Sequence, residues 1–299
     1  MNEKDEKYET GRLTVPEAEE ILGKDFPVLD HGFVRLVDYM GGDDSIVQAA
    51  RVSYGRGTKK VSEDRGLIRY LMRHRHTTPF EMVELKFHAK MPIFVAREWI
   101  RHRTANVNEY SARYSILDKE FYIPEPEVIA AQSKRNRQGR EEIFSSEQAE
   151  EVRRILIEDA GMVYENYMHM LNEDLENPGQ PMDKNRGMLA RELARIDLTL
   201  NIYTQWYWKI DLHNLFHFLG LRMDPHAQWE IRQYANEMEK ITKAVAPNAY
   251  ESFEDYVLNS MNFSGPERNI LRQVITTGSL SHLEILAKDL PTKRESTEF

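Results

Sequence analysis

The spacing of apolar and polar positions along the chain predicts a few strands set among many helices. Gly32-Phe33-Val34-Arg35-Leu36-Val37-Asp38-Tyr39-Met40 alternates as a strand does and stops at Gly41-Gly42. Asp43 is placed to N-cap a helix through Ile46, Ala49, Ala50 and Val52. A second helix is predicted from Ser62 to His74, with Leu67, Ile68 and Leu71 inward. His76-Thr77-Thr78-Pro79-Phe80-Glu81 breaks the pattern and reads as a loop. Val83 to Ala89 then has a period of two with one apolar face, and Pro92 opens a short helix from Ile93 to Arg101.

The second half is richer in helix. Ser133 to Glu142 is polar and basic and reads as an exposed loop or insertion. Ser145-x-x-Gln148 is a capping box for a long amphipathic helix to about Leu175, broken by Pro178-Gly179-Gln180-Pro181. A helix from Lys184 to Ile196 follows. Leu200 to Ile210 reads as an aromatic-rich strand. Asp211 caps a helix from Leu212 to Leu219 that Gly220 closes. Asp224-Pro225 restarts a helix from His226 to about Val245, and residues 247–290 read as helical and peripheral. Residues 1–25 are expected to be a charged, partly disordered extension, and 26–299 a single domain. The fold class is α+β: a small, mainly antiparallel sheet with packed helices, helix-rich overall.

Composition narrows the function. The 299 residues are 41% hydrophobic and 30% charged, which is the balance of a globular protein. A formal charge of -9 opposes general nucleic-acid binding, which leaves a basic footprint. The chain has no cysteine, so thiol nucleophiles, thiolate metal sites and disulfides are excluded. No apolar run reaches the ~18 residues of a membrane span. Met1 to Thr10 lacks the apolar core of a secretory signal, so a cytoplasmic location is expected.

Candidate chemistry concentrates in Arg101-His102-Arg103-Thr104-Ala105-Asn106-Val107-Asn108-Glu109-Tyr110-Ser111-Ala112-Arg113-Tyr114-Ser115. The apolar segment Met91 to Ile100 leads into it, as a buried element delivering polar groups to a pocket would. The alternative is a solvated basic turn. There is no G-x-G-x-x-G and no Walker loop; Gly55-Arg56-Gly57-Thr58-Lys59-Lys60 reads as a flexible turn. His213 and His217 stand four apart and could face a zinc ion, but Asn214 follows His213 where a zinc hydrolase has Glu, and no third ligand is evident. Arg101, Arg113, Arg195 and Arg222 could together grip an anion. Ser111 has no nucleophile elbow around it.

Arg101-His102-Arg103, seven residues, then Ser111 resembles the defining motif of flavin-dependent thymidylate synthases. Ala50-Arg51-Val52-Ser53, Thr78-Pro79-Phe80-Glu81, Pro92-Ile93-Phe94-Val95-Ala96-Arg97, and Leu221-Arg222 through His226-Ala227-Gln228-Trp229-Glu230 also resemble segments of that family, in order. The resemblance spans roughly residues 28–260. It implies reductive methylation of dUMP to dTMP, with 5,10-methylenetetrahydrofolate as carbon donor and FAD, reduced by NADPH, as hydride carrier. It implies a homotetramer with active sites at subunit interfaces, and no nucleic-acid or membrane partner. The missing cysteine agrees with it: ring activation by a thiolate is closed to this chain, and a reduced flavin meets the same need.

By the same resemblance, FAD contacts are expected from Ser53, Thr78, Arg101, His102, Arg103, Glu109, Asp211, His213 and His217. Family members differ among themselves at the last three positions. The dUMP site is expected to use Glu98, Arg101, Glu109, Ser111, Ala112, Arg113, Arg195 and Arg222, with Arg113 reaching a neighbouring subunit's site. Arg222 is expected to be catalytic, stabilising ionised N3 of the uracil. His76 corresponds to a histidine near flavin and folate. One departure stands out: Glu98 occupies a position that is usually Gln. A carboxylate only accepts hydrogen bonds and repels a dianionic nucleotide, so weaker dUMP binding, or an altered variant, is expected. Competing readings are a flavoprotein reductase without methyl transfer, a nucleic-acid module built on the Arg-His-Arg loop, and a zinc site at His213 and His217.

Overall fold

The fold was analysed as a computed structural model, which describes residues 11–52, 61–134 and 139–277. Ser53, the Gly55 to Lys60 turn and the first ten residues lie outside them. The described residues up to Glu254 form one compact unit, and those from Asp255 onward a second.

The first unit is built on a five-stranded antiparallel sheet in the order β1-β2-β3-β7-β4. Its strands are β1 (Asp25–Val28), β2 (Gly32–Met40), β3 (Glu84–Pro92), β4 (Asn106–Glu109) and β7 (Tyr203–Asp211). A separate hairpin pairs β5 (Ala130–Gln132) with β6 (Arg140–Ile143). The helices are α1 (Pro16–Ile21), α2 (Asp43–Val52), α3 (Val61–Arg73), α4 (Thr78–Glu81), α5 (Ile93–Trp99), α6 (Ser146–Leu171), α7 (Arg191–Ala194), α8 (Leu212–Arg222), α9 (Trp229–Val245) and α10 (Pro247–Phe253). The second unit holds α11 (Gly265–Thr277), which opens on a reciprocal Ser264–Glu267 cap. Among the described residues no helix is long and apolar enough to cross a membrane.

The period of two in β3 decides which face is core. Leu85, Phe87, Ala89 and Met91 are fully buried, and Trp206, Trp208 and Ile210 join them from β7. Trp99 closes this layer, its ring 5.4, 5.3 and 5.2 Å from those of Trp206, Trp208 and Phe218. A second core lies under α6, where Tyr164, Tyr167, Met168 and Leu171 meet Leu117, Phe121, Ala194 and Ile202. Gly32 is required where β2 begins, since a Cβ there would lie 2.1 Å from Tyr234 Oη and 2.6 Å from the Val28 carbonyl oxygen.

Several elements differ from the sequence pattern. Residues 16–28, where no element was expected, form α1 and β1. The segment after His76 is not all loop, because Pro79 starts the single turn of α4. Within Ser133 to Glu142, the described part contributes β6 to a hairpin. Of the expected Lys184–Ile196 helix only Arg191–Ala194 is α-helical, followed by a 3-10 turn over Arg195–Asp197; Ala194 is buried under α6, while Met188, Leu189, Leu193 and Ile196 stay exposed. Instead Asn172, in the left-handed conformation that ends α6, ties down the 172–186 loop. Its amide donates to the carbonyls of Asp183 and Arg186, both at 2.8 Å. Gly220 does not close α8, which continues to Arg222, and α9 starts at Trp229 rather than His226. Asp43 caps not its own helix but α10, accepting from the backbone N–H groups of Asn248 (2.8 Å) and Ala249 (2.9 Å). That helix is not peripheral: Phe253 is buried and stacks on Phe216 at 4.4 Å.

Candidate active site

The Arg-His-Arg segment is held between an anchored helix and a sheet edge. Trp99, the last residue of α5, is fully buried. The backbone then tightens, with Arg101 N–H donating to the Glu98 carbonyl (3.2 Å) and His102 N–H to that of Trp99 (3.0 Å). Four residues later the chain joins β7 as β4, with Asn106 opposite Lys209 and Glu109 opposite Trp206. Strand β4 is short, polar and exposed, so this edge shows hydrogen-bonding groups to solvent. A turn at Ser111 follows, where the Tyr114 and Ser115 N–H groups reach the Ser111 carbonyl.

At the helix end three side chains interlock. Arg222, from the last turn of α8, donates through Nη1 to Glu98 Oε1 at 2.6 Å and through Nε to His102 Nε2 at 2.9 Å. The His217 ring lies 5.8 Å from that of His102. Burial, reinforced by the charge of Arg222, lowers the His102 pKa to about 4, so this ring is neutral. Burial raises the Glu98 pKa; Arg222 opposes the rise, and Glu230 of α9 adds to it. Glu98 Oε2 is buried and has no hydrogen-bond partner among the described residues.

Along the segment lies a cavity of about 310 Å³ walled by Glu109, Ser111, Ala112, Arg195 and Thr204. Glu109 accepts from the Thr204 hydroxyl at 2.8 Å. A shallower cleft of about 280 Å³ joins Arg103 and Asp211 to the Glu84–Lys209 ion pair. A further cavity, of about 1300 Å³, is walled by Tyr39, Gln48, Tyr70, His76, Thr78 and Met82 among others.

Residues 35–248 match the family model described as thymidylate synthase complementing protein, Thy1. The chain belongs to the Thy1 family. The flavin-dependent thymidylate synthase of Rickettsia conorii is 57% identical over 291 residues, 97% of this chain and 97% of that protein. That of Gluconobacter oxydans is 60% identical over 264 residues, 88% of this chain and 84% of that protein. Among solved structures, the UMP/dUMP methylase PolB from Streptomyces cacaoi, bound with 5-Br UMP, superposes with a TM-score of 0.66. It is 32% identical and covers 79% of this chain and 100% of its own.

Within this Thy1 chain the expected residues fall in distinct places. Glu98, His102, His217 and Arg222 stand together. Glu109, Ser111, Ala112 and Arg195 share one cavity, and Thr78 and His76 share another. Arg103 and Asp211 meet in the third, although the Asp211 carboxylate is occupied in capping α8, accepting from Asn214 N–H at 2.9 Å. His213 is half-buried one turn before His217. Arg101 is exposed, and Arg113 points away to pair with Glu192 at 3.0 Å. Ser53 lies outside the described residues. Sequence reasoning missed Thr204 as the partner of Glu109, and Tyr70, whose ring lies 6.0 Å from that of His76. It also missed the buried acid Glu230, paired with Arg140 and held by the Tyr122 hydroxyl at 3.3 Å. The strand and helix positions of Thr204 and Tyr70 were readable; nothing in the local pattern marks Glu230 as buried.

Proposed function

We propose that this chain is a cytoplasmic flavin-dependent thymidylate synthase. It methylates dUMP to dTMP, with 5,10-methylenetetrahydrofolate as carbon donor and FAD, reduced by NADPH, as hydride carrier. The observation that carries this reading is the end-to-end likeness to the Rickettsia conorii enzyme. A chain without cysteine has no thiolate to add to the pyrimidine ring, which fits a route that does not need one.

The residues present suit such a cofactor. Arg101 and Arg103 are exposed on the turn before β4, available to the diphosphate of a dinucleotide. The Thr78–His76 cavity has room for a large planar ligand. When bound, the flavin supplies the hydride. The protein's own work is binding and electrostatics. Arg195 and the Ser111 turn would hold the nucleotide in the cavity they wall. Arg222 would stabilise negative charge on the ring, lowering the N3 pKa and enriching C5, where the new carbon attaches.

We further propose a homotetramer with shared sites. Supporting this, Arg113 and Arg195 are exposed and flanked by large exposed apolar residues, Tyr114 at 79% and Ile196 at 75%. The test is a dTMP assay on protein reconstituted with FAD, given NADPH, 5,10-methylenetetrahydrofolate and dUMP. Formation of dTMP supports the reading. NADPH oxidation without dTMP would replace it with a bare flavoprotein reductase.

A further inference from the structure

Arg222, the residue assigned to stabilise charge on the substrate, already has an anion. Its Nη1 is 2.6 Å from Glu98 Oε1. Neither partner is sealed in: the Arg222 side chain is 19% exposed and that of Glu98 24%. A ligand anion reaching Arg222 therefore has to compete with a carboxylate that is already there.

Glu98 is poorly equipped to stay charged without Arg222. Its second oxygen is buried with no hydrogen-bond partner among the described residues. Among the described residues that face it, only Arg222 helps. From α9 comes another carboxylate, Glu230, whose own charge is met by Arg140 of β6. His102 is neutral and turned to the Arg222 Nε, and His217 lies beyond it. Strands β3 and β7 present Phe87, Trp206 and Trp208 on the core face that α5 covers. On its own helix turn Arg97 and Arg101 are exposed to solvent. A half-dry carboxylate that loses this cation and faces a second acid takes up a proton instead.

We infer that Glu98 is a proton-coupled counter-ion of Arg222: the nucleotide's anionic group displaces it from the guanidinium, and Glu98 leaves the pair as a neutral acid. The balance is simple. One proton joins a Glu98 oxygen, from water or from the ring nitrogen as it ionises, and the cation Arg222 exchanges one anionic partner for another. The upward-shifted pKa of Glu98 agrees with this. The inference rests on the reading of the chain as a dUMP-binding enzyme. It makes Glu98 a positioning residue acting through Arg222, and it sets a pH dependence that Gln at this position cannot have.

The experiment measures dUMP binding to the FAD-loaded wild type and to Glu98→Gln by calorimetry. Buffers of different ionisation enthalpy count the protons exchanged. The phosphate and the ring contribute equally in both proteins, so the difference isolates Glu98. The wild type should take up as much as one proton per site more than the variant. Its Kd, relative to the variant's, should rise up to tenfold per pH unit above the Glu98 pKa. Equal proton counts and parallel Kd profiles would overturn the inference, even if Glu98→Gln melts at a lower temperature, as loss of a merely structural brace would cause. Failure of both proteins to bind dUMP at any pH would instead overturn the dUMP reading itself. Glu98→Asp provides a control: it keeps the charge but shortens the reach, so its proton count should stay nearer the wild type than the Gln variant's.

Discussion

Arg222 Nε donates to His102 Nε2 at 2.9 Å, and an arginine nitrogen can only donate, so the imidazole must offer a lone pair and stay neutral. The middle residue of the Arg-His-Arg segment is thus a hydrogen-bond acceptor that orients Arg222, while its two neighbours, Arg101 and Arg103, are exposed.

This has a consequence for stability against pH. The His102 pKa is depressed to about 4 in the folded chain against ~6.5 unfolded. Above ~6.5 both states are neutral at this residue. As pH falls from ~6.5 toward 4 the unfolded chain gains a proton the folded chain resists, so stability is lost across that window and levels off below it. His102→Gln, which retains an acceptor, should flatten this part of the stability profile. Denaturant titrations of both proteins between pH 7 and 4 make the comparison, and identical slopes would contradict it.

Asp43 joins α2 to the N-terminus of α10 through the Asn248 and Ala249 N–H groups and the Asn248 amide. Asp43→Ala removes a cap from a helix whose Phe253 packs in the core. A loss of about 1–2 kcal/mol is expected, read as a lower denaturation midpoint with an unchanged slope. Asp43→Asn, which keeps one acceptor oxygen, should lose less.

Glu230 is 2% exposed and depends on Arg140, a residue of the β5–β6 hairpin. Arg140→Ala leaves a buried charge without its cation, at a cost of about 3–5 kcal/mol. The double variant Arg140→Ala with Glu230→Gln should recover much of that loss in thermal melts, since no charge then remains to be paired. No recovery would mean that Arg140 acts through packing.

Arg195 lines the Ser111 cavity without being buried. If it grips the nucleotide, Arg195→Ala should raise the KM for dUMP about ten- to a hundredfold, the loss of a hydrogen bond to a charged group. Bound FAD and the melting temperature should hardly change. A KM within twofold of wild type would remove Arg195 from the site.

The parts legible in the sequence were those with a local cause. Strand β2 could be bounded because its alternation ends in two glycines. The start of α6 was readable because Ser145 and Gln148 cap each other within one turn. The α8 start was readable from Asp211 for the same reason. What stayed hidden had distant causes. Asp43 looks like a local cap, yet its acceptors are taken by residues some two hundred positions later. The Lys184–Ile196 pattern is helical in propensity, but the Asn172 side chain offers that backbone other partners. The site followed the same rule: the Arg-His-Arg segment and Ser111 could be found by spacing. That Glu98 occupies Arg222 required α5 and α8 to be brought together.

In the proposed reaction, hydride from the flavin ends on the pyrimidine. The most direct test is a single anaerobic turnover. FAD-loaded protein is reduced with one equivalent of NADPH, freed of pyridine nucleotide, and mixed with dUMP and 5,10-methylenetetrahydrofolate. The flavin absorbance should return as dTMP appears, one for one. A flavin that stays reduced with no dTMP formed, or dTMP formed without flavin reoxidation, would contradict the account.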